Sequence, residues 1–195
     1  MENIVNEAAP KYNFISPEEY LAMERASQEK HEYYDGYVVA MSGARLAHNQ
    51  IAANLYTDIG SYLKGKDCQV LPSEMRVSSP AHDSYMYPDA QIVCGKPELE
   101  DEHFDTLINP AVIIEILSSS TQLIDKDRKF FYYKQIPSMK EYFMIDSKKR
   151  YIMAARKRQD ELWQFEDISE SADSVFIETI QFKLLLNDIY RNTGL

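Results

Sequence analysis

The spacing of apolar and polar positions predicts helices and strands along most of the chain. Ser16-Pro17-Glu18-Glu19 combines a serine N-cap, a proline at the first helical position and a glutamate that closes a capping box, so a helix is predicted over 17–25. Asp35-Gly36 lies between two apolar runs and predicts a hairpin. Over residues 44–64 the apolar positions recur at helical spacing, which predicts the longest helix, ending at Gly65.

Strand patterns dominate the rest of the chain. Strands are predicted at 69–77, 85–93, 111–117, 141–145, 150–155 and 162–165, and a last strand or extension at 176–182. A polar turn at 118–121 introduces a predicted helix at 122–135, which Pro137 ends, and a last helical turn is predicted at 184–190. This order predicts one α/β domain over 14–195, with a mixed central β-sheet flanked by helices, preceded by a flexible tail at 1–13.

Composition and charge fit an ordinary globular protein with one basic segment. Hydrophobic residues make up 45% of the chain, charged residues 27%, and the net charge is −10. Between Lys126 and Arg158 eleven Lys or Arg and three acids give +8, which leaves −18 for the remainder. The segment therefore forms either one basic face on an acidic molecule or a set of separately solvated side chains.

Cysteine usage and hydropathy bear on the compartment. Cys68 and Cys94 lie in separate apolar segments, and no CxxC or Cys/His cluster accompanies them, so two buried free thiols are expected. We also expect no signal peptide and no membrane span, because no apolar run approaches the required length. Together these features predict a cytoplasmic protein.

Two acids stand out from their apolar surroundings. Glu115 lies within Ala111–Leu117 and shares a strand face with Ile113 and Leu117, where a carboxylate is costly unless it is paired or bound to a cation. Asp89 follows Pro88, which predicts an edge or a bend just before the acid. Both acids on neighbouring strands could bind one Mg²⁺ or Mn²⁺, but a structural ion pair or a turn acid explains either one alone.

In their order, these residues resemble a known nuclease family. Pro88-Asp89, Glu115 in an apolar strand and a following lysine-bearing helix resemble the PD-(D/E)xK superfamily. More narrowly, the chain resembles the Uma-type family of restriction-endonuclease-like proteins, long catalogued as a domain of unknown function. The resemblance covers roughly residues 14–165 and is carried by Glu32-Tyr33-Tyr34-Asp35-Gly36, the helix bearing His48, Tyr87-Pro88-Asp89 and Ile113-Ile114-Glu115-Ile116-Leu117-Ser118.

The resemblance implies a restriction-endonuclease-like core and Mg²⁺- or Mn²⁺-dependent hydrolysis of phosphodiester bonds in DNA. It implies that Asp89 and Glu115 bind the metal. Glu32, which matches the family's acid on the first helix, would be an outer ligand or would orient a water. The superfamily lysine normally stands two positions after the strand acid, where this chain has Leu117. The resemblance therefore points to Lys129 on the following helix.

Further residues are weaker candidates for the site. Lys134 is a less favoured substitute for Lys129, and Tyr133 would lie on the same helix face as Lys129. His48 is either a core histidine or a residue near the site. Arg76 either pairs with an acid, contacts phosphate or is a surface arginine.

Two functions remain open from the sequence. The first is a DNA endonuclease, expected to be a homodimer because cutting both strands favours two sites. The second is a catalytically inactive nuclease-like domain that binds nucleic acid or protein, an interpretation that Leu117 favours.

Overall fold

The protein is described from a computed structural model, which covers residues 14–79, 81–117 and 128–195. The tail predicted at 1–13, the turn at 118–121 and the beginning of the helix predicted at 122–135 lie outside the described residues.

The N-terminal elements follow the local sequence signals. Helix α1 spans Pro17–Ala26, and its capping box is formed by Ser16 and Glu19 as predicted. Strands β1 (His31–Tyr34) and β2 (Tyr37–Ala40) pair antiparallel across Asp35-Gly36. Both turn residues have positive φ, 46° and 95°, the conformation that a two-residue hairpin turn needs and that Asp-Gly tolerates.

Six of the described strands form a mixed central sheet. Its order is β11-β10-β9-β8-β6-β3, in which β8 and β9 are parallel and the other neighbours antiparallel. The strands are β3 (Cys68–Pro72), β6 (Ala90–Cys94), β8 (Val112–Leu117), β9 (Glu141–Asp146), β10 (Ile152–Lys157) and β11 (Trp163–Ile168). Strand β8 is central and buried along its whole length, as its apolar sequence predicts.

The two faces of the central sheet are covered differently. Helices α2 (Leu46–Leu63) and α4 (Leu186–Ile189) cover one face, together with the hairpin β12 (Ser174–Ile177) and β13 (Phe182–Leu185). The other face packs against helix α3 (Phe130–Tyr133) and a second sheet. That sheet has the order β2-β1-β5-β4-β7, with β4 (Arg76–Ser79), β5 (Ser84–Met86) and β7 (Thr106–Leu107). The α/β fold predicted from the sequence, a mixed central sheet flanked by helices, is thereby confirmed.

Two strands predicted as continuous are each divided between the sheets. Residues 69–77 form β3 in the central sheet and β4 in the second sheet, separated by a turn at 73–75. Residues 85–93 divide into β5 and β6 around Pro88, which lacks an N–H for the ladder. Residues 176–182, predicted as a last strand or extension, are divided as well: β12 ends at Ile177, and a 3₁₀ turn at Glu178–Ile180 leads into β13.

The prediction of two buried free thiols is wrong. Cys68 and Cys94 form a disulfide and are only partly buried. They are directly opposite each other in the antiparallel pair of β3 and β6, a register that brings their side chains together. Pairing across strands was not visible in the sequence. The cytoplasmic location loses the support drawn from free thiols and stays a prediction.

Candidate active site

Glu115 lies on the face of β8 that meets α3 and the second sheet. The even-numbered residues of β8 face α2, whereas Ile113 and Leu117 belong to the cluster on the opposite side, as the alternation of a strand requires. Glu115 is only 2% exposed. A carboxylate at this depth needs a positive charge or hydrogen-bond donors nearby.

Lys129 supplies the positive charge next to Glu115, and Tyr133 supplies a hydrogen-bond donor. The Lys129 Nζ lies 3.2 Å from Glu115 Oε1, and the Tyr133 hydroxyl donates to the same oxygen at 3.0 Å. Lys129 and Tyr133 are four residues apart, so they project from the same side of a helical segment. Lys129 is 5% exposed and therefore is not a surface lysine.

Glu32 shares Lys129 with Glu115. Lys129 Nζ is 2.8 Å from Glu32 Oε1, which also accepts a hydrogen bond from the backbone N–H of Tyr87. The hydroxyl of Tyr34 donates to Glu32 Oε2 at 2.7 Å. Glu32 lies on strand β1 and not on a helix, so the match to a helical acid is corrected.

The charge on Lys129 is secured by these two acids. Burial opposes the charged form, but the attraction of Glu115 and Glu32 outweighs it and holds the pKa of Lys129 well above its usual value. Burial, reinforced by Glu115, also raises the pKa of Tyr133 well above its usual value. Lys129 is therefore an ammonium at neutral pH and Tyr133 a neutral hydrogen-bond donor.

Asp89 lies at the bend between the two sheets, directly before β6. Its Oδ2 accepts a hydrogen bond from the backbone N–H of Ile116 at 2.7 Å, and its Oδ1 lies 3.0 Å from Nε2 of His48 on α2. The hydroxyl of Tyr56, also on α2, donates to the backbone carbonyl of Asp89. These contacts fix both the bend and the carboxylate.

The register of the central sheet brings Asp89 next to β8. Strands β6 and β8 pair antiparallel, and the last pair joins Ala90 to Ile114. Asp89 directly precedes Ala90 and lies in the bend just outside the strand. The hydrogen bond to Ile116 agrees with this placement, because Ile116 directly follows Glu115 in β8. Asp89 is thus held next to β8 by the N–H of Ile116 and by His48 of α2, whereas Glu115 faces α3 and contacts Lys129.

Arg76 and Lys134 lie apart from these acids. Arg76 is buried, not a surface arginine, and it pairs with Asp105 at 2.8 Å and donates to the hydroxyl of Tyr87 at 3.2 Å. Lys134 Nζ lies 5.9 Å and 5.4 Å from the ring centroids of Phe130 and Phe131.

Sequence reasoning missed the tyrosines that organise the site. Tyr34 and the backbone of Tyr87 both donate to Glu32, and the hydroxyl of Tyr87 donates to the buried Glu24 of α1 at 2.9 Å. The run Glu32-Tyr33-Tyr34 was a partial signal, because alternating strand positions place Glu32 and Tyr34 on one face. Nothing in the sequence indicated Glu24, whose partners come from two other elements.

The basic segment is partly neutralised within the fold. Arg156 is buried and pairs with Glu141 at 3.2 Å, and Arg158 pairs with Glu178 at 2.9 Å. With Lys129 held between Glu32 and Glu115, at least three of the eleven basic side chains balance acids of the protein itself.

The mixed sheet, the bend before β6 with Asp89 and the buried Glu115 of β8 define a restriction-endonuclease-like protein. The chain belongs to the Uma2 family, described as "Putative restriction endonuclease", whose model matches residues 17–187. The resemblance noted in the sequence is thus confirmed, and with it a nuclease-like family membership.

Individual relatives agree with this assignment. Two proteins of Synechocystis sp. are similar over most of their length. Uncharacterized protein slr1290 is 30% identical over 177 residues, covering 91% of this chain and 92% of that protein. Uncharacterized protein sll1609 is 29% identical over 163 residues, covering 83% and 92%. The crystal structure of a "putative nuclease belonging to DUF820" from Anabaena variabilis ATCC 29413 shares the fold, with a TM-score of 0.71, 20% identity, and coverage of 90% of this chain and 97% of that one.

None of the helices within residues 14–79, 81–117 and 128–195 has the length and hydropathy of a membrane-spanning helix.

Proposed function

We propose that this protein is a Mg²⁺- or Mn²⁺-dependent endonuclease that hydrolyses phosphodiester bonds in DNA. The observation that carries the proposal is the convergence on β8. Lys129 contacts Glu115, while the next backbone N–H, that of Ile116, holds Asp89. An aspartate, a glutamate and a lysine from three parts of the chain thus meet at one strand.

The acids suit a small divalent cation. Asp89 and Glu115 offer hard oxygen donors, and Mg²⁺ in nucleotide-processing sites is commonly bound by one or two carboxylates together with water and substrate phosphate. The described residues contain no group of three or more His, Cys, Asp or Glu side chains placed to bind a metal, so the remaining ligands would be water and phosphate oxygens. When bound, such an ion would acidify a water molecule and neutralise phosphate charge.

Lys129 would act as a fixed positive charge. Its Nζ lies between the carboxylates of Glu32 and Glu115, a position that favours the protonated amine. Its ammonium would stabilise the attacking hydroxide or the negative charge that develops on the phosphate. Glu32 would position Lys129, since both of its oxygens already accept hydrogen bonds from the protein. His48 would orient Asp89.

The oligomeric state follows from the substrate. If duplex DNA is cut in both strands, two copies of this site are needed, and a homodimer is the simplest way to supply them.

Nicking of supercoiled plasmid tests the proposal. We expect wild type to nick in Mg²⁺ or Mn²⁺ and not in EDTA. Asp89→Asn, Glu115→Gln and Lys129→Met should each lose about a hundredfold or more of the rate, as removal of a transition-state contact does elsewhere. Glu170→Gln and Lys183→Met change exposed side chains and serve as charge-matched controls.

Circular dichroism would verify that each variant is folded. Nicking that persists in Asp89→Asn would refute the site. A folded wild type with no activity under any metal would instead favour the non-catalytic binding module.

A further inference from the structure

Helix α3 and the residues that flank it present two different sides. Lys129 and Tyr133 point to Glu115 and are buried. Arg128, Phe131 and Lys134 recur at intervals of three, which places them along another side of the segment. Phe131 is 43% exposed, and Arg128 is exposed as well. This second side, together with His82 from the turn at 81–83 that leads into β5, is called the α3 outer surface below.

Aromatic rings and cations are interleaved on the α3 outer surface. The ring of His82 lies 5.2 Å from that of Phe131, and Lys134 Nζ lies 5.4 Å from the Phe131 centroid. The guanidinium of Arg128 lies 5.5 Å above the ring of Tyr34, whose hydroxyl donates to Glu32 of the candidate active site. The surface is therefore continuous with the site through Tyr34 and through the chain itself.

An exposed phenylalanine next to a second ring and a cation differs from a phenylalanine that is merely exposed to solvent. Phe176 on β12 is 42% exposed, nearly the same fraction, yet within the described part of the chain no aromatic ring or cation contacts its ring. An exposed ring flanked by cations is the arrangement that binds an unpaired base by stacking and its phosphates by charge. A paired base inside a duplex cannot stack on such a ring, because both of its faces are already covered.

Two acids border the surface. The hydroxyl of Tyr132 donates to Asp35 at 2.6 Å, and Asp83 adjoins His82 in the chain. Net charge at the surface is consequently small, and stacking on Phe131 has to contribute a large part of any affinity.

We propose that Phe131, His82, Lys134 and Arg128 bind an unpaired nucleotide of a single-stranded or locally opened nucleic acid, with its base stacked on Phe131. The proposal rests on the proposed nuclease function and deepens it, since the bound strand would enter the active site beside Lys129. It assigns the substrate class as strands with unpaired bases, which includes duplex DNA that is locally opened.

Binding in EDTA tests this independently of cleavage. Full-length protein would be titrated into fluorescent single strands of about 12 nucleotides, a length within the usual range of single-strand sites. Matched DNA and RNA strands form two arms, and a fully paired duplex of the same sequence forms a third. Fluorescence anisotropy gives the Kd for each.

Wild type is expected to bind a single strand more tightly than the duplex. Phe131→Ala should raise the single-strand Kd by about tenfold, the lower part of the range for loss of one stacked base. Phe131→Trp should retain binding, and Phe176→Ala should stay within about twofold of wild type. A raised Kd of Phe131→Ala for either the DNA strand or the RNA strand supports the proposal. The strand with the larger effect identifies the preferred sugar.

Several results would overturn the inference. These are an unchanged Kd in Phe131→Ala, an equal loss in Phe176→Ala, or tighter binding of the duplex. A lower mass of Phe131→Ala in light scattering would show that this ring contacts a second copy, which also overturns it. Failure of the nuclease proposal is separate: Phe131-dependent strand binding without any nicking would refute the activity and leave the binding site in place.

Discussion

Replacing Lys129 with methionine removes the ammonium shared by two buried carboxylates. Methionine retains most of the length and apolar character of the lysine stem, so packing changes little while the charge disappears. Glu32 and Glu115 are 6% and 2% exposed, which leaves water little access to compensate. We therefore expect Lys129→Met to be strongly destabilising in the absence of metal.

The distances set the size of the effect. With an effective dielectric constant of about 20, separations of 2.8 Å and 3.2 Å correspond to attractions of about 6 and about 5 kcal/mol. Desolvation of the three charged groups opposes this by several kcal/mol per ion. Because removal of one partner leaves buried charge uncompensated, the net loss in the free energy of unfolding should be about 3–5 kcal/mol.

Urea denaturation at neutral pH in EDTA measures this loss. All variants would be kept oxidised, so that the disulfide is common to them. Lys183→Met removes an exposed lysine on β13 and should change the free energy of unfolding by no more than about 0.5 kcal/mol. A second variant, Lys129→Arg, keeps the charge in a larger group and should be less destabilised than Lys129→Met.

A small change in the free energy of unfolding would show that Lys129 is not an essential counter-charge. If Lys129→Met lowers the free energy of unfolding by less than about 1 kcal/mol, the effect is no larger than that of a solvent-exposed ion pair. Such a result would mean that Lys129 is not enclosed between Glu32 and Glu115.

Two further predictions concern the rest of the fold. The disulfide joins cysteines 26 residues apart, so its reduction should lower the free energy of unfolding by about 2–4 kcal/mol. The same reductant should have no effect on a Cys68→Ala/Cys94→Ala variant. Equal effects on both proteins would contradict this prediction. The hydrogen bond from Arg25 holds the pKa of Asp105 well below its usual value, so the stability from this pair is present above about pH 4 and is lost as the pH falls further. Arg25→Ala should consequently flatten the acid side of a plot of melting temperature against pH, and an unchanged slope there would argue against the pair.

Local signals in the sequence predicted the elements that depend on local chemistry. The capping box of α1, the Asp-Gly hairpin and the end of α2 before Gly65, which has a φ of 77°, all follow from residues within a few positions of each other. The divided strands were missed because the choice between two sheets depends on distant partners. Residues 69–77 have a continuous strand pattern, but their two halves pair with β6 and β5 respectively.

The candidate site shows the same division between local and distant information. The cost of burying Glu115 is visible in its own strand, and Pro88 correctly indicated a bend before Asp89. The contacts of Lys129 with Glu32 and of Asp89 with His48 join segments that no local pattern relates. The resemblance to a family supplied those candidates, and their catalytic roles stay proposals.

The central claim is that Asp89 and Glu115 bind one divalent cation. Its most direct test is a crystal structure of wild type with Mn²⁺, located by anomalous scattering. We expect a single ion at about 2.1 Å from carboxylate oxygens of both residues, with Lys129 beside it. A well-ordered site without the ion, or an ion that contacts neither acid, would contradict it.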